Sequence, residues 1–261
     1  LAAMVGGAEE ATRGRMTAIA SVVFALPFIL FPGIFGSIAD RFSKKTVSVW
    51  TKYLEFAVMG LGVVGFLIQS PEMLWVVLFL MATQSAIFGP AKYGILPESL
   101  PEKDLSWANG IVQMTTMIAI ILGTVAAGYL YDWAGPDRVY LAGVVLVGLS
   151  CVGVITAQGI MHPPAANPHE SFTVNPWIGM GRYLAVIWND RWLRMITIGY
   201  VYFWLSGAVL LSCVMDVSDV LGLSASEASV MNATLSLGIG LGAFAAGVLS
   251  RGKIEAGIVP V

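Results

Sequence analysis

Lys52 and Glu55 are three residues apart inside an apolar run, Val47–Gln69, so on a helix the ammonium and the carboxylate share one face. Near the middle of a bilayer each charge would cost about 2.5–3.5 kcal/mol. Pairing the two, or placing them near the membrane surface, reduces that cost. Charges inside a span are by default candidates for function, here for binding a polar substrate; a structural salt bridge close to the interface explains the same two residues. Asn109 and Gln113, four apart in another apolar run, give that helix a partly polar face that could line a cavity. Thr115 and Thr116 follow them, and Asn232, Thr234 and Ser236 repeat the pattern later in the chain. Hydrogen bonding between helices, about 0.6 kcal/mol on average, is the competing explanation, and it is the one expected for Thr115 and Thr116.

A denser group of charges lies in Gly36-Ser37-Ile38-Ala39-Asp40-Arg41-Phe42-Ser43-Lys44-Lys45, between two long apolar runs. Gly36, Asp40, Arg41, Lys44 and Lys45 are candidate gate residues: a carboxylate at Asp40 can face the positive N-terminal end of a neighbouring helix and hold one side of the membrane shut. Topology alone also accounts for Arg41, Lys44 and Lys45, as basic anchors on the cytoplasmic side, but it has no use for the Asp. Lys92 and Tyr93 follow Gly89-Pro90, where the helix is expected to break. Lys92 can attract a phosphate near the cytoplasmic surface, or be an interfacial Lys beside an interfacial Tyr. Glu98 can pair with Lys92 or solvate the loop.

No nucleophile–base arrangement, phosphate-cradling Gly loop or metal-ligand spacing occurs, so the chain is expected to catalyse no reaction and to need no cofactor. Cys151 and Cys213 sit in apolar runs and read as small buried hydrophobes. His162 and His169 lie in a Pro-rich link with no ligand spacing around them. A net charge of −2 gives no reason to expect a nucleic-acid partner.

The elements that must position these residues follow from composition. The 261 residues are 57% hydrophobic and only 11% charged, with mean hydropathy +0.80, against about 25% charged in soluble domains. A water-facing surface cannot be built from so few charges, and the class is an all-α polytopic membrane protein. Seven runs are long enough to cross at about 20 residues each: Met16–Ile38, Val47–Gln69, Met73–Phe88, Trp107–Tyr131, Val139–Ala157, Leu193–Met215 and Ala228–Leu249. Pro27 and Pro32 should kink the first. Ala119, Gly123 and Ala127, and later Gly238, Gly242 and Ala246, are small residues four apart, expected at close helix contacts. Between His162 and Asp190 runs a link with Pro163, Pro164, Pro168 and Pro176; its later part, Trp177 to Trp188 with Arg182, suits a helix lying on the lipid surface or a plain solvated linker.

With seven crossings, alternate loops share a side. Arg41, Lys44, Lys45, Lys92, Lys103, Arg182, Arg191, Arg194, Arg251 and Lys253 fall on one side. The other holds only Arg13, Arg15 and Arg138, among Glu9, Glu10, Glu72, Asp132, Asp137, Asp216, Asp219 and Glu227. The basic side is cytoplasmic. Residues 247–253, Gly-Val-Leu-Ser-Arg-Gly-Lys, weakly repeat the turn after Gly36 six helices later, as internal repeats of secondary transporters do. Leu1 is not an initiator Met and the first residues do not read as a signal peptide, so a partial chain is expected.

Gly36-x-x-x-Asp40-Arg41-x-x-Lys44-Lys45 resembles the loop motif between the second and third helices of the major facilitator superfamily. The resemblance implies a twelve-helix fold in two bundles, of which the seven runs would be the second to the eighth helices. Residues 1–160 would form an N-terminal bundle lacking its first helix, 161–192 the cytoplasmic linker, and 193–261 the start of the C-terminal bundle. Phe88-Gly89-Pro90-Ala91-Lys92-Tyr93-Gly94-Ile95-Leu96-Pro97-Glu98, Ala108-Asn109-Gly110, residues 119–128, Phe203-Trp204 and residues 250–257 resemble the bacterial lysophospholipid transporter family. That implies a lysophospholipid substrate such as lysophosphatidylethanolamine, a place in the bacterial inner membrane, alternating access, and delivery for reacylation. Lys92, Tyr93, Glu98, Asn109, Gln113, Lys52 and Glu55 would then be the substrate-binding candidates. The family often has Glu where this chain has Gln113, so any cation or amine bound by that Glu is held differently here. The same module occurs fused to a glycerophospholipid acyltransferase. A membrane anchor for such an enzyme, or a carrier of a small soluble solute, are the alternatives.

Overall fold

The computed structural model describes residues 2–135, 138–169 and 176–249. The weak repeat at 247–253 and the basic residues Arg251 and Lys253 fall largely or wholly outside them. The described residues form helices α1 (Ala2–Leu30), α2 (Pro32–Arg41), α3 (Lys44–Leu67), α4 (Pro71–Ser99), α5 (Glu102–Ala134), α6 (Tyr140–Gln158), α7 (Pro176–Asn189), α8 (Arg191–Val220) and α9 (Ala225–Leu249). Six are long and apolar enough to cross a membrane, and the bent pair α1–α2 passes the same test when its two helices are counted as one span. All seven apolar runs are therefore helices, and the protein is a multi-pass membrane protein.

The bend between α1 and α2 is 53°. Its cause is local. Pro32 has no N–H to give the preceding turn and disfavours helical backbone at Phe31, which sits at φ −118° and ψ 12°. Pro32 then takes the first position of α2, where its missing donor costs nothing. Pro27 lies inside α1 without ending it. Gly89-Pro90 does not break the chain as expected, because α4 runs through Pro90 and Pro97 to Ser99. A membrane helix tolerates a proline when neighbouring groups or a local backbone adjustment satisfy the carbonyl left without a donor. Lys92, Tyr93 and Glu98 are thus on a helix rather than a loop, and the link before α5 shrinks to Leu100-Pro101.

Caps explain the other ends. Ser224 and Glu227 form a reciprocal capping box on α9: Ser224 N donates to Glu227 Oε2 at 2.9 Å and Glu227 N to Ser224 Oγ at 3.4 Å. Asp190 Oδ1 accepts from the backbone N–H groups of Trp192 and Leu193 at the start of α8. Gly135 ends α5 at φ +69°, a conformation that glycine adopts without a Cβ penalty.

Packing divides the chain into two units. The first comprises α1–α3, α4 up to Ile95, α6 from Gly143 and the beginning of α7. Here α3 approaches its neighbours at glycines: a Cβ on Gly143 would lie 3.0 Å from Val63, and one on Gly65 3.0 Å from Leu74. The second unit contains the end of α4, α5, the rest of α7, α8 and α9. In it α5 and α9 run antiparallel, with Asp132 Oδ2 accepting from Ser226 N at 3.1 Å and Met117 filling the notch at Gly240. The small-residue stripes do not make this contact: a Cβ on Gly123, Gly238 or Gly242 would meet nothing within 4 Å.

Large apolar side chains such as Leu149, Ile155 and Trp133 remain exposed on the helix surfaces, as lipid-facing residues do. Cys151 and Cys213 are exposed too, not buried as their apolar surroundings suggest.

Candidate functional site

The charged turn is an elbow built on the end of α2 and the start of α3. Ala39 is buried at 1% exposure and Lys44 at 2%. The Lys44 stem crosses the bare backbone of Gly94 on α4, where a Cβ would come within 2.8 Å of its Cε. Its ammonium donates to the carbonyl of Ala39 and lies 3.2 Å from Asp40 Oδ1, half exposed. Lys44 is therefore not a surface anchor. It neutralises Asp40 from within and holds the free carbonyl end of α2. Arg41 is exposed, and Gly36 has open space around it.

Two longer-range contacts tie this elbow to the far end of the first unit. Lys45 Nζ donates to the carbonyl of Gln158, the last residue of α6, at 2.8 Å, a favourable place for a cation because α6 ends there with unpaired carbonyls. Asn167 N in the link donates to the carbonyl of Asp40 at 2.8 Å. Of the five candidate gate residues, Asp40 and Lys44 are thus paired with each other, while Lys45 bonds separately to the end of α6.

Lys52 and Glu55 form the expected pair, at 2.6 Å, with about a fifth of each side chain exposed. It extends across helices. Gln84 Nε2 on α4 donates to the same Glu55 oxygen at 3.1 Å, and Ser85 Oγ donates to Gln84 Oε1 at 3.2 Å. Lys52 Nζ also stands 4.9 Å from the centre of the Phe88 ring, a cation–π distance. The Lys52 stem passes Gly153 on α6, where a Cβ would be 3.3 Å from its Cδ. Gln84, at 4% exposure, was not among the residues singled out from the sequence, although it is the only amide in the run Met73–Phe88. Gly94 stood out only as part of the block Phe88–Glu98, and Gly153, Gln158 and Asn167 carried no signal by type or spacing.

The remaining candidates lie further along α4 and on α5. Lys92 Nζ lies 5.2 Å from the Tyr93 ring centre, and Glu98 is half-buried in the last turn of α4. Asn109 is exposed on α5, and its Nδ2 donates to the Leu105 carbonyl at 2.9 Å; Gln113 is half-buried one turn on. Thr115 does not bridge helices: its hydroxyl donates to Ile111 and Val112 of its own helix, and Thr116 also bonds the Val112 carbonyl. Back-bonding of this kind satisfies a hydroxyl in an apolar helix without a partner helix. Among the described residues no group of three or more His, Cys, Asp or Glu could hold a metal ion. The described chemistry is that of fixed charges held inside apolar helices.

The sequence profile of the Major Facilitator Superfamily matches residues 8–259. Curated relatives described as lysophospholipid transporters include one from Enterobacter sp. (strain 638), 32% identical over 88% of this chain and 56% of its own length. Another from Serratia proteamaculans (strain 568) is 31% identical over 87% and 56%, and one from Klebsiella pneumoniae subsp. pneumoniae is 30% identical over 88% and 56%. The chain thus spans little more than half the length of these relatives. No solved structure matches it significantly.

Proposed function

The chain belongs to the major facilitator superfamily, and on that premise we propose that it is a secondary transporter moving lysophospholipid, of the lysophosphatidylethanolamine kind, across the bacterial inner membrane by alternating access. The observation that carries this is the likeness to lysophospholipid transporters along 87–88% of the chain. The fixed charges inside the first unit favour a substrate with a charged head. In this reading Lys52, Glu55 and Lys92 with Tyr93 and Glu98 meet the phosphate and amine of the headgroup, while Asn109 and Gln113 offer neutral hydrogen bonds. Gly36, Asp40, Arg41, Lys44 and Lys45 act as the cytoplasmic gate, between an N-terminal bundle at 1–160 and a C-terminal one that begins at 193. The lysolipid delivered is the acyl acceptor that a glycerophospholipid acyltransferase requires, fused or separate, so such an enzyme is the partner implied.

Uptake of radiolabelled lysophosphatidylethanolamine into spheroplasts carrying the full gene tests the proposal. Uptake above that of the empty vector is expected, with loss in Lys52→Ala. A gate at Asp40 requires that Asp40→Ala lower the rate while the protein remains in the membrane; unchanged uptake removes the gating role. Uptake no better than the vector sinks the assignment.

A further inference from the structure

What the Lys52 ammonium touches describes the place it fills. Nζ is 2.6 Å from Glu55 Oε2 and 4.9 Å from the centre of the Phe88 ring. Gln84, on the next helix, donates to the same carboxylate oxygen at 3.1 Å and holds it in place. A carboxylate on one side and an aromatic face on the other recognise an organic ammonium. The end of Lys52, a methylene carrying an ammonium, is the same chemical group as the end of an ethanolamine head. This occupant is tethered but not locked. About a fifth of each side chain of the pair is exposed, so the pair can be reached from outside the first unit. The flexible stem crosses α6 at Gly153, where a Cβ would crowd its Cδ at 3.3 Å.

A lone charge left in apolar surroundings is costly, so Lys52 leaves Glu55 readily only when another cation replaces it. A zwitterionic head supplies that cation and an anion together. Its amine takes the place between Glu55 and Phe88, its phosphate receives Lys52, and no charge is left over. A head with a phosphate but no amine draws Lys52 away and strands Glu55. The phosphate is common to both kinds of head, so the cations of the first unit alone do not tell them apart. Stranding a charge against the wrong ligand is how such a site discriminates.

We propose that Lys52 is a displaceable stand-in for the substrate amine, and that Glu55 and Phe88 form the site that selects the primary amine of a zwitterionic lysolipid. This role rests on the lysolipid transport proposed above. Exchange at Glu55 hands the amine to the carboxylate and releases Lys52 to the phosphate in the same event.

In the test, spheroplasts carrying the full gene take up radiolabelled lysophosphatidylethanolamine or lysophosphatidylglycerol, and the ratio of the two rates is read. A ratio within one variant does not depend on how much protein reaches the membrane. The parent should favour lysophosphatidylethanolamine several-fold, and N-acetylation of its amine, which removes the charge, should abolish that advantage. Glu55→Gln should reverse the preference, because the amine loses its counter-charge while Lys52 is released for the phosphate. Phe88→Leu keeps the ion pair and should lower the ratio without reversing it, because Lys52 then leaves at less cost even when no amine replaces it. It also keeps the proposal testable if Glu55→Gln does not fold. An ion pair of purely structural role would lower both rates together and leave the ratio where it was. An unchanged ratio in either transporting variant, or equal rates in the parent, would overturn the amine site and leave lysolipid transport standing. Uptake of neither lipid above the empty vector would overturn both.

Discussion

Glu55 Oε2 lies 2.6 Å from Lys52 Nζ on its own helix and accepts from Gln84 Nε2 on the next at 3.1 Å. One carboxylate oxygen thus balances a charge and joins α3 to α4. Removing one partner of such a pair leaves an uncompensated charge in apolar surroundings, whereas removing both does not.

It follows that Glu55→Leu and Lys52→Met should each destabilise the purified protein by about 1.5–3 kcal/mol, the worth of a hydrogen bond to a charged group. The double variant should lose less than the sum of the two. Gln84→Leu should cost less than either, because it removes a neutral donor and leaves the ion pair. Thermal unfolding of the four variants in one detergent measures all of this. Additive losses would mean that the pair does not couple.

Gly94 has a different role. A Cβ there would come within 2.8 Å of Lys44 Cε, and Lys44 cannot swing aside without giving up the Ala39 carbonyl and Asp40. Gly94→Ala should therefore destabilise by about 1–3 kcal/mol, the usual range for overpacking, and Lys44→Ala in the same chain should relieve part of the loss. Gly36→Ala, with nothing within 4 Å of the new methyl, should leave the melting temperature unchanged or raise it, since Ala is the better helix former by about 1 kcal/mol.

The α5–α9 contact separates glycines that sequence spacing treats alike. Gly240→Val should weaken the second unit, because even a Cβ would be 2.9 Å from Met117 Cβ, an atom fixed close to its backbone. Gly238→Val and Gly242→Val point into open space there. Unfolding midpoints should rank Gly240→Val well below the other two; equal midpoints would place the helix contact elsewhere.

The link meets the elbow through a backbone donor, which only proline removes. Asn167→Pro deletes the N–H that reaches the Asp40 carbonyl, a bond worth about 0.5–1.5 kcal/mol, while Asn167→Ala keeps it. Limited proteolysis in the link should be faster in Asn167→Pro than in Asn167→Ala or the parent. The same rate in all three would show that the contact does not hold the link down.

Sequence alone determined the spans, the bend at Pro32 and the Lys52–Glu55 pair. Transfer into lipid acts on the composition of a run, a proline acts on its own turn, and residues three apart on a helix meet whatever surrounds them. It misplaced the end of α4, because whether a proline stops a membrane helix depends on the surroundings of the carbonyl it leaves without a donor. Only the tertiary structure decided that Glu55 also meets Gln84, that Lys45 reaches Gln158 and Asp40 meets Asn167, and that Gly240 rather than Gly238 or Gly242 receives Met117. Periodicity names the face of a helix but not the neighbour that packs on it. Those partners lie from 29 to 127 residues apart, beyond the reach of any local rule.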